Sequence, residues 1–269
     1  MSPRRISTAV ALILWAANAH AHEFWISPET YVTPKGGEVQ AQLRVGQEFG
    51  GASYAFNPNR FERFDLVIGD QVIPVDGRLG DTPALNMPAP AEGLITIVHE
   101  TGDNLLSYKG MEKFTKFAKH KDFEWAVQRH AERGLPTERF MERYRRYAKS
   151  LVAVGDGAGA DREVGMKTEI VALANPYTDQ LDMFPVKVLL DGKPRADAQI
   201  ELFDKDPEGE VTITLHRTNS EGIGTFPIQD RHEYLVDAVV LLPLDAGDPT
   251  KFPVWVSAWA SLTFKVPDW

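Results

Sequence analysis

The chain has 269 residues and no cysteine, so disulfides and thiolate metal centres are both excluded. Methionine is scarce, six in all and scattered, which argues against the methionine-rich runs that hold Cu(I). Neither H-x-x-x-H nor H-E-x-x-H occurs, so a helical zinc-protease site is excluded. There is no G-x-S-x-G elbow. The glycine-rich stretch "VGDGAGAD" lacks the Lys-Ser/Thr of a P-loop and the strand-to-helix context of a dinucleotide turn. No catalytic residue can be nominated. Positive charge is also in short supply: the formal net charge is −9, a poor balance for binding nucleic acid.

Only one apolar run stands out, and it lies at the very start. After Met-Ser-Pro-Arg-Arg comes "ISTAVALILWAA", then small residues. A basic start, a short apolar stretch and an A-x-A site describe a secretory signal peptide, and the run is short for a membrane span. The expectation is an exported, periplasmic protein with no integral membrane span after cleavage. Losing Arg4 and Arg5 makes the mature chain still more acidic. A large core lets a protein of this size dispense with disulfides.

The cleavage point decides what chemistry the terminus carries. Cutting after Ala21 leaves His22 first, and its imidazole and α-amine, of pKa about 8, then chelate one ion. Cutting after Ala19 leaves His20-Ala21-His22, in which the third-place imidazole, the amine and two backbone amides form a planar donor set. Either arrangement suits Cu(II) or Ni(II). The following "EFWISP" alternates in character and predicts a strand, so the terminal histidine is held rather than trailing.

Five histidines remain. His99 lies late in the strand "GLITIVHET" and His232 in the turn "QDRHEY"; these two are the best placed to complete a site begun by His22 or His20. His120 lies among lysines and reads as solvated. His130 shares a helical face with Phe123 and Val127 and reads as packed core. His216 lies on a strand.

The pattern between these points is mainly β. "EVQAQLRVGQ" places Val39, Ala41, Leu43 and Val45 on one face, and "FDLVIGDQVIPVDG" reads as two strands about Gly69-Asp70. From residue 166 onward six or seven short strands, separated by glycine turns, predict an immunoglobulin-like sandwich. Between the β regions, Met111 to Ala118 and "FEWAVQRHAERG" predict helices, the latter stopping at Gly134. "PTERFMERYRRYAKSLV" predicts a third, with the stripe Phe140, Tyr144, Tyr147, Leu151. This segment is basic: 12 Lys/Arg against 6 Asp/Glu from Lys109 to Lys149, suited to lying on an acidic β body. The expected organisation is a signal peptide (1–21), an N-terminal β domain (22–107), a helical segment (108–153), a linker (154–165) and a C-terminal immunoglobulin-like β-sandwich (166–269). Two immunoglobulin-like β-sandwich domains would then flank a helical bridge.

"AHEFWISP", "ERYRRYAKSLVAVG" and "LLDGKPRADAQIELF…TNSEGIGTFPI…ASLTFKV" together resemble an exported bacterial family, domain of unknown function 4198, over nearly the whole span from His22 to Val266. The resemblance implies a periplasmic protein, in some members associated with nickel or cobalt uptake. It therefore implies a metal-uptake transporter as partner and Ni(II) or Co(II) as the bound ion, while Cu(II) rests on the terminal donor set. The terminus is also similar in placement to small periplasmic copper-binding β-sandwiches whose mature first residue is a histidine ligand. Only that position carries over, to His22.

Three functions are compatible with these features. One is a metal carrier or accessory to uptake, with His22, His20, His99 and His232 as candidate ligands. Another is a metal-free module that binds an envelope protein, peptide or glycan through Trp255 and Trp259. The third is a copper oxidase, which requires a second histidine to converge on the first. Intact-mass measurement of the exported protein is expected to give a chain starting at His20 or His22. A start at Met1 would remove the terminal donor set altogether.

Overall fold

A computed structural model describes residues 22–269. The signal-peptide reading and His20 lie outside the described residues. The protein is mainly β, built as three layers.

The middle layer is a ten-stranded sheet. Its main path runs Val211–Arg217, Gln199–Lys205, Glu233–Pro243, Trp255–Lys265, Phe140–Val154, Gly93–Thr101, Phe61–Ile68 and Gln71–Pro74. Two short strands, Val32–Thr33 and Asn104–Tyr108, also pair with Phe140–Val154. One four-stranded sheet (Glu23–Pro28, Glu38–Gln47, Gly50–Tyr54 and Leu85–Pro88) covers the front. Another (Thr168–Ala172, Met183–Leu190, Lys193–Pro194 and Ile223–Pro227) covers the back.

Strand alternation assigns each core to a face. On the front, Ile95, Ile97, Ala148 and Val152 meet Phe24, Ile26, Val39 and Leu43. On the back, Leu151, Val236 and Leu262 meet Ile170, Val186 and Phe226. The alternation read from "EVQAQLRVGQ" corresponds to the strand Glu38–Gln47, with Val39, Ala41 and Leu43 buried. The turn Gly69-Asp70 joins two paired strands as expected.

Two helices complete the front. α1 spans Met111–His120 and α2 spans Trp125–Glu132. Phe114, Phe117, Phe123 and Ala126 cover Val239, Trp255 and Trp259 beyond the edge of the front sheet. Gly134 ends this region with φ +63°, a conformation natural to glycine.

The third expected helix is a strand. Phe140–Val154 lies in the centre of the middle layer, parallel to Trp255–Lys265 and antiparallel to Gly93–Thr101. The helical segment is therefore confined to α1 and α2 and does not extend to residue 153. The reason is burial on both faces. Tyr144, Arg146, Ala148 and Val152 point forward, while Tyr147, Lys149, Leu151 and Ala153 point back. No two-residue hydrophobic alternation survives, and the aromatic spacing imitates a helical stripe.

Nor is the stretch 154–165 a free linker. Asp161 is buried; it accepts hydrogen bonds from Thr96 Oγ1 (3.1 Å), the Ala172 N–H (2.9 Å) and Lys149 Nζ (2.7 Å). Lys149 is itself fully buried and also contacts Glu169 (3.1 Å) and the Arg162 carbonyl (3.0 Å). Glu169 in turn accepts from the backbone N–H groups of Val164, Gly165 and Met166. One ammonium thus ties the central strand to the loop and to the back sheet. Removing one partner of a buried pair strands the other charges. Lys149→Met is expected to lower the unfolding free energy by roughly 3–5 kcal/mol in urea titrations. A loss below about 1 kcal/mol would contradict this role.

Candidate functional site

The first strand delivers three groups to the front of the middle sheet. The carbonyls of Phe24 and Ile26 accept hydrogen bonds from Ser261 Oγ (2.8 Å) and Thr263 Oγ1 (2.7 Å), which fixes the strand across Trp255–Lys265. The His22 carbonyl accepts from Arg146 at 3.1 Å. His22 therefore enters an ordered strand immediately, while its side chain stays exposed.

Alternation sends Glu23 the other way, into a buried charge cluster. Lys121, at the end of α1, places Nζ 3.3 Å from Glu23 and 2.8 Å from Asp237, and also hydrogen-bonds Glu201. His120 Nε2 lies 3.1 Å from the other oxygen of Glu201. Three carboxylates thus face one lysine. Burial pushes the Glu23 carboxyl up to about 7; Lys121 lowers it, and the neighbouring Asp237 and Glu201 charges raise it. Burial would raise Glu201 too, but hydrogen bonds and charge from His120 and Lys121 prevail and hold it down at about 2.

Glu23, His120 and Glu201 bring three donor atoms within 4.8 Å of one another; they are the one such group among the described residues. One imidazole and two carboxylates fit a borderline divalent cation. Lys121 occupies one side of the group, yet the carboxylate excess over the ammonium leaves charge for a second cation. The sequence pattern gives no sign of this group beyond a solvated His120. Glu201 and Asp237 lie in apolar strands and Lys121 at a helix end, so nothing in their spacing joins them.

The expected ligands are not assembled together. His22 lines a small cleft of about 130 Å³ with Tyr108, Glu142, Tyr144, Arg146 and Trp259. His99 lines a different, larger cleft of about 620 Å³, which shares Tyr144 and Arg146 with the first. His99 is packed against the rings of Phe24, Phe61 and Phe64. Burial pushes its imidazole down to about 3, so it is neutral near pH 7. His232 lines neither cleft; its Nδ1 is 2.6 Å from Asp204.

Other sequence expectations fare differently. His130 is buried, as expected of a core histidine. Its Nδ1 accepts from Trp255 Nε1 (3.0 Å) and its Nε2 donates to the Pro136 carbonyl (2.9 Å), so one neutral tautomer satisfies both. Trp255 and Trp259 are buried too, and cannot form the exposed aromatic patch expected for a partner. Trp259 stacks on Phe117 and donates to Ser257, which hydrogen-bonds Glu142. Tyr108 also donates to Glu142 (2.6 Å), and burial raises that carboxyl.

The family described as "Domain of unknown function (DUF4198)" matches residues 19–241. The chain belongs to the DUF4198 family. No curated protein matches this DUF4198 chain. Two similar solved structures are the "D0-D1 domain of Intimin" and a "tetra-tandem repeat in extending region of large adhesion protein". The first is 13% identical, with 90% of this chain and 97% of that one covered, at a TM-score of 0.23. The second is 10% identical, with 91% and 50% covered, at a TM-score of 0.19. At these scores the likeness carries no conclusion about role. Among the described residues no helix is long and apolar enough to cross a membrane.

The charge cluster has a pH signature. Glu23 binds its proton more tightly folded than unfolded, so its contribution to stability is complete below about pH 4.5 and lost as pH rises through about 7. Glu23→Gln removes that loss. Its melting temperature is expected to exceed that of the wild type by roughly 3–8 °C at pH 8, with the gap closing toward pH 5. A gap independent of pH would show that Glu23 is already ionised throughout.

Proposed function

We propose that this DUF4198 protein is exported to the periplasm and binds a transition metal there, as a carrier or an accessory to uptake. The ion would be Ni(II), Co(II) or Cu(II), and the natural partner a metal-uptake transporter in the envelope. The reading also treats the two halves as immunoglobulin-like sandwiches fused through the shared ten-stranded sheet.

The observation that carries the proposal is the coincidence at the first strand. His22 precedes a rigid strand whose next residue, Glu23, belongs to the three-donor group with His120 and Glu201. A strand held at Phe24 and Ile26 limits the conformational entropy lost when its terminal residues take up an ion. His22, with the amine freed by cleavage, would supply nitrogen donors. Glu23, His120 and Glu201 would supply an imidazole and oxygens on the strand's other side. These are two candidate centres, one on each side of the strand. His99 and His232 have no part in either, because aromatic packing encloses one and Asp204 engages the other.

The test uses protein with the authentic mature terminus, stripped by chelator and titrated calorimetrically with Ni(II), Co(II) and Cu(II). The expected result is one tight site for at least one ion. His22→Ala is expected to weaken it at least tenfold if the terminus holds the ion, and His120→Ala together with Glu201→Gln if the other group does. Binding unchanged in both variants would sink the proposal.

A further inference from the structure

The larger cleft opens where the front sheet parts from the middle one. Its walls come from the edge strand Gly50–Tyr54 and the loop after it, from the turn at Gly102 to Asn104, and from Tyr144 and Arg146 on the central strand. Its volume, about 620 Å³, lies in the range of small-molecule sites. Neither candidate metal centre lines it.

Charge is distributed unusually here. Arg146 has no carboxylate within 4 Å among the described residues; it lies over the rings of Tyr144 (4.9 Å) and Phe24 (5.9 Å), and its buried Nε has no hydrogen-bond partner. Arg60, exposed at the mouth, also forms no ion pair among the described residues. The acid lining the cleft, Asp103, is already matched by Arg145 (2.9 Å) and Arg143 (3.7 Å). A cationic hollow thus interrupts a protein of net charge −9. Low-dielectric walls concentrate such a field and draw anions. A guanidinium with an unused donor is suited to a carboxylate.

Part of the remaining wall is aromatic, beside the polar side chains of Asn57, Asn59, Thr101 and Asn104. Phe56 and Phe61 stand edge to face at 5.2 Å, with Phe61 and Phe64 both against His99. Buried Nδ1 of His99 also lacks a hydrogen-bond partner. Exposed Leu79 and Tyr54 stand at the rim.

We propose that this cleft binds a small organic acid, its carboxylate held by Arg146 and Arg60 and its ring or apolar body packed on Phe56, Phe61 and Tyr144. The His99 ring sets the polarity of the floor. Neutral, it adds no positive charge to those of Arg146 and Arg60, so the anion is held at the arginine end.

Benzoate is the probe, with benzyl alcohol as its uncharged counterpart and inorganic phosphate as a bare anion. Each is titrated into the mature protein in chelator, followed by two-dimensional NMR. Benzoate is expected to shift resonances of cleft residues and to bind at least tenfold more tightly than either control, and more weakly as salt is raised. Arg60→Gln, at an exposed position that leaves the core untouched, is expected to weaken benzoate several-fold, and Arg146→Gln at least tenfold. Failure of benzoate to bind at millimolar concentration overturns the proposal. So does equal binding of benzyl alcohol, which removes the role of charge, or equal binding of phosphate, which removes the role of the ring. Unchanged affinity in both arginine variants overturns it as well. Because chelator is present throughout, these outcomes leave the metal reading to its own test.

Discussion

The structure depends on one strand, Phe140–Val154, being buried on both sides. It pairs parallel with Trp255–Lys265 and antiparallel with Gly93–Thr101, so it joins strands from the two ends of the chain into one sheet. From Tyr147 to Val154 every residue is buried, so each side chain there must find a partner in a layer above or below. Charged residues on such a strand are tolerated only when paired and hydrogen-bonded. Lys149 meets Asp161 and Glu169 on the back, while Glu142 meets Tyr108 and Ser257 on the front. Those contacts also hold the loop after the strand and the short strand Asn104–Tyr108 in place.

The same constraint shapes the functional surface. Tyr144 and Arg146 stand where the front sheet ends and α1 begins to cover the middle layer, so both clefts take their inner walls from one strand. Arg146 holds the His22 carbonyl on one side and lies over Phe24 on the other. The N-terminal strand then acts as a partition. Glu23 on one of its faces enters the Lys121 cluster, and Phe24 on the other faces the larger cleft. The metal chemistry proposed for the terminus and the anion chemistry proposed for the larger cleft are therefore neighbours built on separate residues.

Lys121 and Lys149 perform equivalent tasks on opposite faces, each gathering carboxylates from different elements of the fold. The difference lies in balance. Lys149 faces two acids whose oxygens also accept several backbone N–H groups. Lys121 faces three, and burial, with the Asp237 and Glu201 charges adding to it against the pull of Lys121, pushes the Glu23 carboxyl up to about 7. A cluster whose carboxylates are also held by backbone N–H groups is a fastener; one with more carboxylates on a single lysine can respond to protons or to a cation.

Much is legible in the chain by itself. Edge and half-covered strands such as Glu38–Gln47 show two-residue alternation because one face meets core and the other meets solvent. His130 is recognisable as core from its helical neighbours. The family, and the mainly β character, follow from the sequence alone. Tertiary structure decided the rest. Phe140–Val154 reads as a helix because burial on both faces erases the alternation that marks a strand. Glu23, His120, Glu201 and Asp237 have no sequence relation and meet only because the sheet order places their strands and α1 together. Local pattern reports which residues avoid water, but which charges share a buried site is set by contacts between strands far apart in the chain.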